Sequence, residues 1–155
     1  MSCAAIMTKA PPTLRDGQNV ADAAAALVAQ HQMNLPVVDG DGRYAGMFGV
    51  HDLLSLLAPR VALAGNLTAN LRFIGDDPEE LRRKFREIGN LRVADVADRD
   101  ATALYPDSSE MEAIRLFCRN QASLPVIDRE SRELVGMISC RDAIRAITGE
   151  AETVA

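Results

Sequence analysis

Leu35-Pro36-Val37-Val38-Asp39 returns 89 residues later as Leu124-Pro125-Val126-Ile127-Asp128. Each copy is a short, nearly all-apolar run, the pattern of a strand buried on both faces. Working outward, Gly46-Met47 recurs as Gly136-Met137, and an aspartate stands six residues beyond each glycine, at Asp52 and Asp142. Upstream, Thr13-Leu14 aligns with Ala103-Leu104, and Ala23 with Ala113. The offset is 90 residues at both ends and 89 at the Leu-Pro-Val core, so a residue lost before the core is regained in the following turn. A duplicated fold tolerates a slip in a turn, because a slip inside a strand would reverse every side chain.

Each unit reads alike. Asn19 with Asp22, and Ser109 with Glu112, predict helix N-caps, the second a full S-x-x-E capping box. A helix follows, with apolar Ala23, Leu27 and Val28 in one copy and Ala113, Ile114, Leu116 and Phe117 in the other. After the Leu-Pro strand, Gly40-Asp41-Gly42 predicts a turn. A second strand covers Tyr44 to Phe48, or Leu134 to Ile138, and a last helix Val50 to Leu57, or Cys140 to Ile147, the latter stopped by Gly149. With a short extended segment ahead of the first helix, each unit is β-α-β-β-α and the fold class α+β.

The units span residues 3–57 and 93–148, joined by residues 58–92. Within that connection Asp77-Pro78-Glu79-Glu80 starts a helix predicted over 78–88. Leu81, Phe85 and Ile88 fall on one face and are expected to pack on the module, leaving Arg82, Arg83, Lys84 and Arg86 solvated. Val61 to Ile74 is apolar but irregular and receives no element.

The 155 residues carry 17 basic and 22 acidic side chains, a net charge of -5, which argues against a nucleic-acid or anionic-membrane partner. Aromatics are 4% and Trp is absent, so the core must be aliphatic. Cys3, Cys118 and Cys140 are odd in number and widely spaced, and only His31 and His51 supply imidazoles. That set predicts reduced thiols, no disulfide framework and no zinc site. No basic region followed by an apolar stretch marks a leader, and Val20 to Ala29 is too short to span a bilayer. The expected location is cytoplasmic. No G-x-S-x-G, Cys–His arrangement or phosphate loop followed by Lys supports an enzyme.

The Leu-Pro-Val-Val-Asp strand, the glycine turn, the Gly-hydrophobic strand and the helix-borne Asp together resemble the CBS domain. Two copies in one chain resemble a CBS pair, the Bateman module. The resemblance implies two repeats related by a pseudo-twofold axis, a homodimer, and clefts that bind AMP, ADP, ATP or S-adenosylmethionine. The family's ligand signature, Gly-hydrophobic-x-Ser/Thr-x-x-Asp, is complete from Gly136 through Ser139 to Asp142. In repeat one Gly49 replaces the hydroxyl residue between Gly46 and Asp52. An aspartate at a helix start can accept from ribose hydroxyls, Ser139 can bond ribose or phosphate, and Arg141 adds positive charge.

The resemblance places the nucleobase against Ala10, Pro12, Met33 and Asn34 for the Asp142 cleft. For a second, weaker cleft at Asp52 and His51 it points to Asp100, Thr102, Ala122 and Ser123, with Asp100 setting a charge beside the base. Ser139-x-x-Asp142 also reads as simple helix capping. Two functions stand open: a regulatory module that binds an adenosine-type ligand and signals in trans to an effector protein, or a non-liganded dimerisation module. Neither needs a resident cofactor or a metal.

Overall fold

In the computed structural model, which describes residues 2–58, 77–119 and 121–150, each apolar run lies in a three-stranded sheet. In chain order the described elements are α1 (Cys3–Ile6), β1 (Thr8–Lys9), β2 (Leu14–Arg15), α2 (Val20–Ala29), β3 (Asn34–Val38), β4 (Tyr44–Gly49) and α3 (Val50–Leu57). Then follow α4 (Pro78–Ile88), α5 (Val93–Val96), α6 (Glu110–Phe117), β5 (Ser123–Ile127), β6 (Leu134–Ser139) and α7 (Cys140–Thr148). The irregular stretch 61–74 lies outside the described residues.

The repeated hairpins are β3–β4 and β5–β6, both antiparallel, with matching irregularities at Val37/Val38 and Val126/Ile127. A parallel edge is added alike in both: Leu14 pairs with Val37, and Leu104 bridges Val126. Leu14, Leu35, Val37 and Phe48 build one core, and Leu104, Leu124, Val126 and Ile138 the other.

The entry arms are exchanged between the repeats. β1 pairs with β6 of repeat two, Thr8 opposite Met137 and Lys9 opposite Gly136. Reciprocally, Asp98 bridges Met47 of repeat one through bonds of 3.0 and 2.8 Å. Cys3 is therefore buried in the second core, and Val93 in the first. A boundary drawn along the chain at residues 57 and 93 is consequently no packing boundary. Where the arms cross, both signature glycines are closely approached: a Cβ on Gly46 would lie 2.8 Å from the Asp98 carbonyl oxygen, a main-chain atom, and one on Gly136 2.6 Å from Met7 Sδ, which can move aside. The hairpin turns also pair with each other. Tyr44 N–H donates to Arg132 O at 2.9 Å, and Leu134 N–H to Gly42 O at 3.1 Å. Arg43 bridges Glu133, its own counterpart at an offset of 90, so this pair sits on the pseudo-twofold axis.

The caps differ from expectation in one respect. Asn19 and Asp22 form the reciprocal box, whereas Ser109 accepts from Glu112 N–H without the return bond. The Ser109 backbone is instead bridged to Ser2 of the incoming arm. In α4, Ile88 packs on the first core and Phe85 is half-buried, but Leu81 is 54% exposed. The expected three-residue stripe is therefore used only at its C-terminal end, where Ala21 N–H also donates to Gly89 O.

Candidate functional site

Ser139 closes β6 and caps α7. Its hydroxyl accepts from Asp142 N–H at 3.1 Å. One carboxylate oxygen, Asp142 Oδ2, accepts from both Ser139 N–H and Ser139 Oγ–H at 2.8 Å. The other oxygen, Oδ1, accepts no hydrogen bond among the described residues. Capping and ligand binding are thus compatible on one side chain: Oδ2 fixes the carboxylate, and Oδ1 is left for an incoming hydroxyl.

This carboxylate lines a cavity of about 910 Å³ between the repeats. The volume falls in the range of roughly 300–1,000 Å³ typical of small-molecule sites. Of the residues expected here, the cavity brings together Ser139, Arg141, Asp142, Pro12, Met33 and Asn34. Ala10 does not join them; it is exposed at φ 50° beside the wall, while Thr8 and Pro11 of the same arm do line it. Ala122 and Ser123, expected from sequence on the Asp52 side, line the Asp142 cavity. Ser123 stands directly opposite Ser139 in the β5–β6 hairpin. Sequence reasoning missed His31, Arg145 and Glu150, which also line the wall. For Arg145 a signal existed: it lies four residues after Arg141, on the same helical face.

The Asp52 side is built differently. Gly49 N–H donates to Asp52 Oδ2 at 2.8 Å, matching the backbone half of the Ser139–Asp142 arrangement. No hydroxyl reinforces it. A Cβ on Gly49 would stand 2.8 Å from Met33 O and 2.9 Å from Asn34 Cβ, so close strand approach excludes a side chain at that position. His51, Asp100 and Thr102 are exposed, and with Asp52 they lie outside the cavity wall.

Among the described residues three groups have a shifted pKa. Burial, then the neighbouring Glu112 and Glu110, pushes the Cys3 thiol up. Burial, reinforced by Asp98, holds the Tyr44 phenol well above its usual range, against a smaller opposing effect of Arg132. Asp128 is lowered by donation from the Ser131 and Glu130 N–H groups and the Ser131 hydroxyl. None of the three lines the cavity. Cys140 does, its thiol 3.3 Å from Gln121 O. Among the described residues no three His, Cys, Asp or Glu side chains are grouped to hold a metal ion.

The CBS domain family model matches residues 3–59 and 93–149. The chain belongs to the CBS domain family, as a CBS pair. Solved structures share the fold. CBSX2 in complex with AMP is 21% identical, with 96% of each chain covered and a TM-score of 0.70. A CBS domain-containing protein of Bacillus anthracis is 14% identical over 97% of this chain and 95% of its own, with a TM-score of 0.74. A Methanocaldococcus jannaschii protein, described as a candidate archaeal homologue of the AMPK γ subunit, is 21% identical with a TM-score of 0.74; the match covers 94% of this chain and 47% of that one. No curated protein matches the chain.

Proposed function

From a chain that is a CBS pair, we propose a regulatory module that binds an adenosine-type ligand in the Asp142 cavity and signals in trans to an effector protein. The observation that carries this reading is the unengaged Asp142 Oδ1, held at the start of α7 on the wall of a ligand-sized cavity. A ribose hydroxyl donates to it, and the α7 N-terminus with Arg141 attracts phosphate. The AMP complex of CBSX2 supports the choice of adenosine compounds. Thr8 and Pro12 of the arm and Met33 of repeat one face the ligand with repeat two, so binding favours one arrangement of these parts over others. Only such differential affinity can transmit a signal. The module is not an enzyme in this reading, because Asp52 and Asp142 serve separate repeats rather than one acid–base pair.

Thermal unfolding with AMP, ADP, ATP and S-adenosylmethionine tests the proposal. At one hundred times Kd a ligand stabilises by about 2.7 kcal/mol, or roughly 5–10 °C in Tm for a domain of this size. Failure of all four to shift Tm would favour the non-liganded interaction module. That second reading is favoured by exposed apolar positions in equivalent places, Leu54 (57%) with Ile144 (59%). The same pair, with Ile147 at 65%, supports a homodimer through α3 and α7. Leu53 and Leu57 of the same helix α3 are half-buried. Ultracentrifugation finding only monomer at micromolar concentration would refute the dimer. No helix among the described residues is long and apolar enough to cross a membrane. Three unpaired cysteines support a reducing, cytoplasmic setting.

A further inference from the structure

Arg141 and Arg145 stand one turn apart on α7, and both line the cavity. Neither forms an ion pair among the described residues. The other charged groups of the wall are Asp142, Glu150 and, when protonated, His31. In repeat one the equivalents of the two arginines are His51 and Ser55, so the paired cations belong to this side alone. A phosphate at the α7 N-terminus is served by backbone N–H groups and by Arg141. That attraction fades within the first helical turn. Arg145 lies about 6 Å further along the axis, beyond its reach. An anion there requires a side-chain cation, and Arg145 is placed to supply one.

We propose that Arg145 is a specificity-determining residue that makes this cavity select adenosine ligands bearing two or three phosphates over AMP and over cationic S-adenosylmethionine. The inference rests on the adenosine-ligand reading above and names the ligand class within it. Asp142 Oδ1 fixes the ribose, the helix start and Arg141 take the first phosphate, and Arg145 takes the phosphates beyond. Arg145 is exposed, so its contribution is screened, and it adds about five- to tenfold in affinity for ADP and ATP at moderate salt.

Calorimetry with adenosine, AMP, ADP and ATP on wild type, Arg145→Gln and Arg145→Lys tests it. Wild type should bind ADP and ATP more tightly than AMP, with the advantage shrinking as salt rises. Arg145→Gln should lose that advantage while leaving adenosine and AMP unchanged, and Arg145→Lys should retain most of it. Arg145 sits on the exposed side of α7, so circular dichroism should show folded variants. Equal AMP and ATP affinity in wild type, or an undiminished ATP advantage in Arg145→Gln, would overturn the role of Arg145 and leave the adenosine site standing. Absence of binding by all four ligands would overturn both.

Discussion

Adding one methyl group at Gly46 should damage the whole module, although Gly46 does not line the Asp142 cavity. Its φ of 147° is a backbone conformation that side-chain-bearing residues rarely adopt, and forcing alanine into it costs about 1–3 kcal/mol. The new Cβ would also stand 2.8 Å from Asp98 O and 3.2 Å from its carbonyl carbon, both main-chain atoms of the exchanged arm. Overpacking against atoms that cannot rotate away adds about 1–3 kcal/mol. The lower chain entropy of unfolded alanine returns about 0.4–1 kcal/mol. The net loss is about 1–5.5 kcal/mol, centred on about 3, against a total of about 5–15 kcal/mol for a typical domain. Urea titration and calorimetry should record it, with Tm falling by roughly 5–15 °C. Hydrogen exchange gives a local signature: the Met47 and Asp98 amides, which donate to each other's carbonyls, should lose protection first. Gly136→Ala should be milder, about 1–2 kcal/mol, because its nearest contact is the flexible Met7 Sδ at 2.6 Å. Met7→Ala should relieve it in a double-mutant cycle. A Gly46→Ala protein within 0.5 kcal/mol of wild type, a margin typical of surface substitutions, would refute the claim that the arm crossing dictates this glycine.

Asp142→Ala should weaken adenine-nucleotide binding by about ten- to hundredfold, whereas Asp52→Ala should change it little; calorimetry on folded variants decides, and equal losses would reverse the cleft assignment. Gly49→Ser, the change that would complete the signature in repeat one, should lower Tm rather than create a second strong site, because its Cβ meets the Met33 carbonyl oxygen at 2.8 Å. With a thiol reagent Cys118 should react first, the half-buried Cys140 more slowly and with protection by ADP or ATP, and buried Cys3 only as the arm opens. Because the Cys3 pKa is raised in the fold, its contribution is intact below the ordinary thiol range and is lost as pH climbs from about 8.5 through the folded value. Urea midpoints should therefore decline toward alkaline pH, less steeply in Cys3→Ala.

The hairpins and their helices were legible because each carries a local signal: the Leu-Pro runs, the glycine turns, the caps at Asn19 and Ser139. The arm exchange was not, because Thr8 meets Met137 and Asp98 meets Met47 through backbone bonds that any side chain could make. Gly46 belongs to a ligand signature in the sequence, yet in the fold it is required by the crossing arm, and Gly136 is closely approached by the other arm. Ser123, expected on the Asp52 side, lines the Asp142 cavity, a placement that no local sequence signal marks. Leu81 shows the limit of periodicity, which marks a face without saying how far along the helix a neighbour reaches.

The exchanged arms also bear on synthesis at the ribosome. Cys3 emerges early but meets Ser109, 106 residues later in the chain. At about 5–20 residues per second, that partner follows roughly 5–20 seconds behind. Repeat one likewise waits for Val93 to close its core. Repeat one therefore leaves the tunnel with an unfilled core and a dangling apolar arm. In this interval, rather than in the finished fold, apolar surface is open to aggregation.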